Sequence, residues 1–134
     1  MNPPPSHEHE RLVSVLHRVL GPYADAAALE LTGGIGLGHQ DDYRVPDLAL
    51  HRPGAGAQWH PTAALVIEIV SPGDESWKKL PFYAEHDVDE VLIVDPDERT
   101  VAWLALEQGE YHPIERSSLI QLGAGEFAGR IDWP

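Results

Sequence analysis

The chain contains no cysteine. That excludes a disulfide framework and any thiolate metal site, and it fits a reducing, cytoplasmic setting. Cations are scarce: nine lysines and arginines stand against 22 aspartates and glutamates, for a formal net charge of −13. Proteins that grip duplex DNA draw much of their affinity from counterion release at phosphates, so this balance argues against a broad electropositive face. It leaves room for a local patch, with Arg44, Arg52, Lys78 and Lys79 as the candidates. No apolar run approaches the ~20 residues needed to cross a bilayer, so no membrane span is expected. The start, Met1–Ser6, is proline-rich and lacks the charged-then-apolar order of a secretion signal. G-x-S-x-G, H-E-x-x-H and a phosphate-loop lysine are all missing. The glycines of Gly33-Gly34-Ile35-Gly36-Leu37-Gly38 do not fit G-x-G-x-x-G, and a dinucleotide fold is not indicated.

What is present is enough for one core. The 134 residues are 43% hydrophobic and include four tryptophans. One domain over residues 1–134 is expected, with a loose leader at 1–6. From His7, Leu12, Val13, Leu16, Val19 and Leu20 recur at helical spacing, with Gly21-Pro22 as the stop signal. Ala26–Leu31 reads as a strand, and the glycine run as a turn or bulged strand. Val45–His51 is the next strand, followed by a loop over Arg52–Pro61. Asp74 or Ser76 is the candidate cap for a short helix running to about His86, with Pro81 tolerable only in its first turn. Val91–Val94 is a buried strand ended by Asp95-Pro96. Thr100–Leu106 and Glu110–Ile114 form a hairpin around Gln108-Gly109. The tail from Ser117 has weak pattern, with Ile131 and Trp133 packing back on the core.

The segment Ala63-Ala64-Leu65-Val66-Ile67-Glu68-Ile69-Val70 sets one carboxylate among seven apolar residues. A run this apolar reads as a strand buried on both faces. An ionised carboxylate buried there is costly unless a metal or a cation pairs with it. Asp47 sits in the strand-like segment Val45-Pro46-Asp47-Leu48-Ala49-Leu50-His51. Alternation puts Asp47 on one face with Ala49, and Glu68 on one face with Val66 and Val70. If the two strands are neighbours in register, both carboxylates point the same way and suit a divalent cation such as Mg²⁺. That ion takes one or two protein carboxylates and fills its remaining positions with water and substrate phosphate. A nearby ammonium group would steady the attacking water and the developing negative charge. Lys78 and Lys79, the only lysines, follow shortly after Glu68.

Several other residues carry rival readings. His7 and His9 resemble a ligand pair, but no third ligand lies at a zinc-like spacing; His9 is a possible accessory residue reaching the site from the first helix. Asp41, Asp42 and Tyr43 either line the edge of the Asp47 strand or form a loop. Asp95, before a proline, is better explained as a turn former.

The segments Val45-Pro46-Asp47-Leu48, Leu65-Val66-Ile67-Glu68-Ile69-Val70-Ser71-Pro72 and Lys79-Leu80-Pro81-Phe82-Tyr83-Ala84-Glu85 carry a likeness. Val88-Asp89-Glu90 and Leu92-Ile93-Val94-Asp95-Pro96 complete it. In order and spacing the chain resembles the PD-(D/E)XK nuclease superfamily, and more closely its Uma-two family of restriction endonucleases. The resemblance implies an α/β restriction-endonuclease-like fold, with a mixed central sheet flanked by helices. It implies Mg²⁺- or Mn²⁺-dependent hydrolysis of DNA phosphodiesters, and a homodimer that pairs to cut two strands. It assigns Asp47 and Glu68 as metal-binding catalytic acids. The superfamily lysine usually lies two residues after the second acid, where this chain has Val70. The resemblance moves that role to Lys79 on the following helix, with Tyr83 four residues later as a possible accessory. Lys78 is the rival, one position and about 100° away on a helix. Two alternatives remain open: a catalytically degenerate interaction or dimerisation module, which the acidic charge favours, and a nuclease acting on RNA.

Overall fold

The computed structural model describes residues 6–54, 59–71 and 76–134. Helix α1 (His7–Ala26) starts where the Ser6 hydroxyl accepts the His9 backbone N–H at 3.1 Å, with Glu8 and Glu10 in its first turn. Both features match the orphan donors and positive dipole end of a helix start. Gly21-Pro22 does not stop the helix, which continues to Ala26. Pro22 is exposed, as is Arg18, whose carbonyl loses a donor to the proline ring. Leu20 and Ala24 on the other side are buried in the core, and their burial carries the helix past the proline.

The strands then follow in two sheets. Six of them, β1 (Glu30–Thr32), β4 (Leu48–His51), β6 (Leu65–Ile69), β7 (Glu90–Asp95), β8 (Thr100–Glu107) and β9 (Glu110–Pro113), form a mixed sheet in the order β1-β4-β6-β7-β8-β9. Only β6 and β7 are parallel; every other neighbouring pair in it is antiparallel. The strand expected over Ala26–Leu31 is therefore two parts, a helix end and a short β1. The remaining strands, β2 (Gly36–His39), β3 (Asp42–Arg44) and β5 (Trp59–His60), make a small sheet in the order β3-β2-β5. The glycine run thus supplies a strand, and the expected loop over Arg52–Pro61 contains β5.

Between β6 and β7, a 3-10 turn (Ser76–Lys79) leads into α2 (Leu80–Glu85), with Pro81 in the first turn of that helix. Ser76 is the first residue of the turn rather than a helix cap; Asp74 lies outside the described residues. The hairpin between β8 and β9 turns at Gln108 and Gly109, whose φ values of 51° and 78° are those a two-residue hairpin needs. Asp95 Oδ1 accepts the backbone N–H groups of Asp97 and Glu98, both at 3.1 Å, so it is a turn former. Helix α3 (Ala124–Arg130) closes the chain, and Ile131 and Trp133 pack on the core as expected.

Alternation along β6 divides its side chains between two cores. Leu65, Ile67 and Ile69 face Leu12, Leu16 and Leu20 of α1 and Phe127 of α3. Val66 faces the other way, with Phe82 and Tyr83 of α2 and Leu37 of the small sheet. Glu68 shares the second face, so the alternation of a buried strand aims it at α2.

Candidate metal and phosphate site

Strand β4 begins at Leu48, not at Val45. Pro46 has no N–H for a ladder and Val45 is 48% exposed, so pairing cannot start earlier. Asp47 therefore stands one residue before the strand. Leu48 pairs with Ile67, and extending that register by one residue sets Asp47 opposite Glu68. Because β4 is antiparallel to β6, its start lies with the carboxyl ends of the parallel β6 and β7. Ligands of α/β sheets commonly bind at such carboxyl ends.

The Asp47 carboxylate is tied on both oxygens. Oδ2 accepts the backbone N–H of Ile69 at 2.8 Å, and Oδ1 lies 3.1 Å from His9 Nε2. The first bond replaces a ladder contact that the chain before β4 cannot make. The second brings the first turn of α1 to the same place, so His9 does reach the site from the first helix. His7, two residues earlier, is exposed.

Glu68 is 2% exposed. Tyr83 donates its hydroxyl to Oε1 at 2.6 Å, and Lys79 Nζ donates to Oε2 at 3.2 Å. Burial raises the Glu68 carboxyl from 4.5 to about 6; Lys79 and the Tyr83 bond pull it down, and the charge of Asp47 pushes it further up. The Asp47 charge thus acts directly on Glu68. Burial and the Glu68 charge hold the Tyr83 phenol far above its usual range, so Tyr83 serves as a donor. Lys79 keeps 28% of its side chain exposed and can serve both Glu68 and a group arriving from solvent. Lys78 is exposed on the same turn, and the bond to Glu68 belongs to Lys79.

Arg44 adds a third cation to Lys78 and Lys79. Its guanidinium sits 4.4 Å from the centre of the Phe82 ring, and its charge lowers the Tyr83 phenol against the other effects. The expected patch is narrower than the sequence suggests. Arg52 follows the far end of β4 and makes two bonds to Asp89, at 2.9 and 3.3 Å, so it stands at the opposite end of the sheet. A cleft of about 440 Å³ opens beside the site, lined among others by His9, Leu12, Ile69, Val70 and Ser71. It meets the site on the His9 side, while Glu68 is covered on the α2 side.

Among the described residues no three His, Asp or Glu side chains gather as a metal cluster. Two carboxylates fit the sparing protein ligation of Mg²⁺ better than a many-ligand cage. A second buried acid among the described residues, Glu90, shows the contrast. It accepts from Trp103 Nε1 at 2.8 Å, Ser117 Oγ at 2.7 Å, and Ser118 N and Oγ at 3.2 and 3.3 Å. These four neutral donors anchor the C-terminal segment to β7 and β8, and the sequence signals it only as part of the Val88-Asp89-Glu90 likeness. His51 and His60 are buried with ring centroids 4.4 Å apart, near the far end of β4.

The family model Uma2, described as "Putative restriction endonuclease", matches residues 1–125. A crystal structure of a "putative nuclease belonging to DUF820" from Anabaena variabilis superposes with a TM-score of 0.69 at 20% identity, covering 98% of this chain and 86% of that one. A DrdV–DNA complex superposes with a TM-score of 0.51 at 15% identity, covering 94% of this chain and 11% of that one. Such low identities establish likeness of fold. No curated protein matches the sequence.

Proposed function

Since this chain belongs to the Uma2 family of restriction endonucleases, we propose that it is a metal-dependent endonuclease hydrolysing phosphodiester bonds in DNA. One observation carries the reading: a buried carboxylate, Glu68, held by a lysine and a tyrosine and sensing the charge of Asp47 at the carboxyl end of the parallel strands. The charge of Asp47 and burial both disfavour the charge on Glu68; a divalent cation relieves both costs. Asp47 and Glu68 would hold Mg²⁺ or Mn²⁺. When bound, such an ion offsets charge on the scissile phosphate and lowers the pKa of water there.

The chain's own residues do the rest. Tyr83 fixes the rotamer of Glu68 by donating to Oε1. Lys79, part exposed, orients the attacking water and donates to the phosphate oxygens as negative charge builds. His9 and the Ile69 N–H hold Asp47 in place. Water oxygen adds to phosphorus and gives up a proton to solvent, the P–O bond to the sugar breaks, and the leaving oxygen takes a proton from solvent. The DrdV structure is a complex with DNA, which supports DNA over RNA. The reading extends to a homodimer, and to the cytoplasm in keeping with the lack of cysteine. The net charge of −13 favours a second reading, a non-catalytic interaction module on the same fold.

Titration calorimetry with Mn²⁺, followed by assays on plasmid, single-stranded DNA and RNA, separates the readings. The parent should bind the ion and cut DNA. Glu68→Ala should lose both while keeping its far-ultraviolet circular dichroism. A parent that binds no ion and cuts nothing supports the interaction module.

A further inference from the structure

Three large hydrophobic side chains are prominently exposed among the described residues: Tyr43 at 43%, Val45 at 48% and Trp77 at 54%. All three lead into the candidate site. Tyr43 and Val45 stand four and two residues before Asp47, and Trp77 stands two residues before Lys79. Each run alternates or abuts aromatic and cationic residues, as Tyr43-Arg44-Val45 and Trp77-Lys78-Lys79. Scattered exposed hydrophobics need no explanation, but their confinement to the approaches of one site does.

The first arm is built rather than incidental. Tyr43 packs on Trp59 with ring centroids 4.6 Å apart. The Trp59 ring takes the space over Gly36 that a Cβ there would need, 2.5 Å from two ring carbons. Glycine in β2 therefore lets Trp59 sit against the strand and support Tyr43 from beneath. Arg44, on the next position, is fixed by Phe82 at 4.4 Å, by Asp42 Oδ1 at 3.3 Å and by the Tyr43 carbonyl at 2.9 Å. Only Nη1 takes part in these two hydrogen bonds, so donors remain for a phosphate.

Charge decides what such arms take. Duplex-binding proteins neutralise many phosphates, often six to ten. Here Arg11, Arg52 and Arg130 are paired with Asp132, Asp89 and Glu126 away from the site. Arg99 and Arg116 donate to the backbone carbonyls of Pro134 and Gln121. Arg18 is exposed on α1, nine residues beyond His9, and Arg99 also lines the cleft that adjoins the site. Arg99 with Arg44, Lys78 and Lys79 makes four cations around the site, too few for a duplex grip. Stacking on aromatic rings needs no such charge, and it requires bases that are not already paired.

Building on the nuclease reading above, we infer that the substrate is met as a single strand, its bases stacking on Tyr43 and Trp77 while Arg44 holds a flanking phosphate. Fluorescence anisotropy with a labelled 20-nucleotide DNA strand, and with the same strand annealed to its complement, tests this in the presence of Ca²⁺. The single strand should bind at least about tenfold more tightly than the duplex. Tyr43→Ala and Trp77→Ala should each weaken it about tenfold, while Tyr43→Phe, which keeps the ring, restores it. Circular dichroism and melting confirm that each variant is folded. Equal binding of duplex and single strand overturns the inference, as does single-strand affinity unmoved by either alanine. A dimer that dissociates on Tyr43→Ala with unchanged single-strand affinity also overturns it, and marks the surface as an interface between copies. Cation-dependent cutting by a parent that prefers duplex removes this inference alone; a parent that neither binds nor cuts any nucleic acid removes the nuclease reading with it.

Discussion

Glu68 holds an unfavourable position that its two donors only partly offset. Its carboxyl stands at about 6 rather than 4.5, with burial as the main cause. A carboxyl raised on folding adds stability below pH 4.5 and loses it as pH rises through about 6. The ionised form therefore costs the fold roughly 2 kcal/mol at pH 8, at 1.36 kcal/mol per pKa unit. Glu68→Gln should be more stable than the parent at pH 8 by up to that amount, and urea unfolding at pH 4 and pH 8 should show the difference vanish at the lower value. Cation binding runs the opposite way, because the ligand must be ionised: Mn²⁺ affinity should fall as pH drops below about 6. Tyr83→Phe removes the 2.6 Å bond. It should cost about 1–2 kcal/mol in urea unfolding and move the Glu68 carboxyl above its present value, readable by carbon NMR of the labelled side chain. Glu68 was legible in the sequence because a lone acid in an apolar run has few physical excuses. The lysine pair after it was legible too, but the choice of Lys79 and the part of Tyr83 came only through family likeness. Tyr83 and Lys79 sit on a 3-10 turn and a six-residue helix, too short for periodicity to show which side faces the sheet.

The elements read well where burial and alternation agree, and poorly where packing overrides local preference. Strands β6, β7 and the β8–β9 hairpin follow their apolar patterns within a residue or two. Helix α1 runs through Gly21-Pro22 because Leu20 and Ala24 are buried, which no local rule encodes. Since Pro22 is exposed within that helix, Pro22→Ala should stabilise the chain by about 1–3 kcal/mol, seen as a higher urea midpoint with unchanged slope. Helix α3 escapes sequence reading because its seven residues, AGEFAGR, include two glycines of low helix propensity. It persists because Phe127 is fully buried against Trp103, with ring centroids 5.7 Å apart. The segment before it depends on Glu90, an acid deep in the sheet. Glu90→Ala strands Trp103 Nε1 and Ser117 Oγ without their acceptor. It should cost roughly 2–4 kcal/mol and raise hydrogen exchange first around Ser117–Leu122.

At the scale of the molecule, an excess of 13 negative charges surrounds a site that a nuclease must open to a polyanion. The two are compatible if the contact is small. Binding of a single strand weakens with salt as about 0.7 per neutralised phosphate on a logarithmic scale. Four cations near the site, Arg44, Lys78, Lys79 and Arg99, then set a slope no steeper than about −3, or roughly a fiftyfold loss between 50 and 200 mM salt. The acidic body flattens it further, because added salt also screens repulsion between protein and strand. Arg44→Ala should reduce the slope by about 0.7 and weaken all sequences alike, as loss of a phosphate contact does. Anisotropy titrations at four salt concentrations read both values. A slope of about −6 or steeper would mean an extended phosphate track, and the cations for it would have to come from a second copy of the chain rather than from this one.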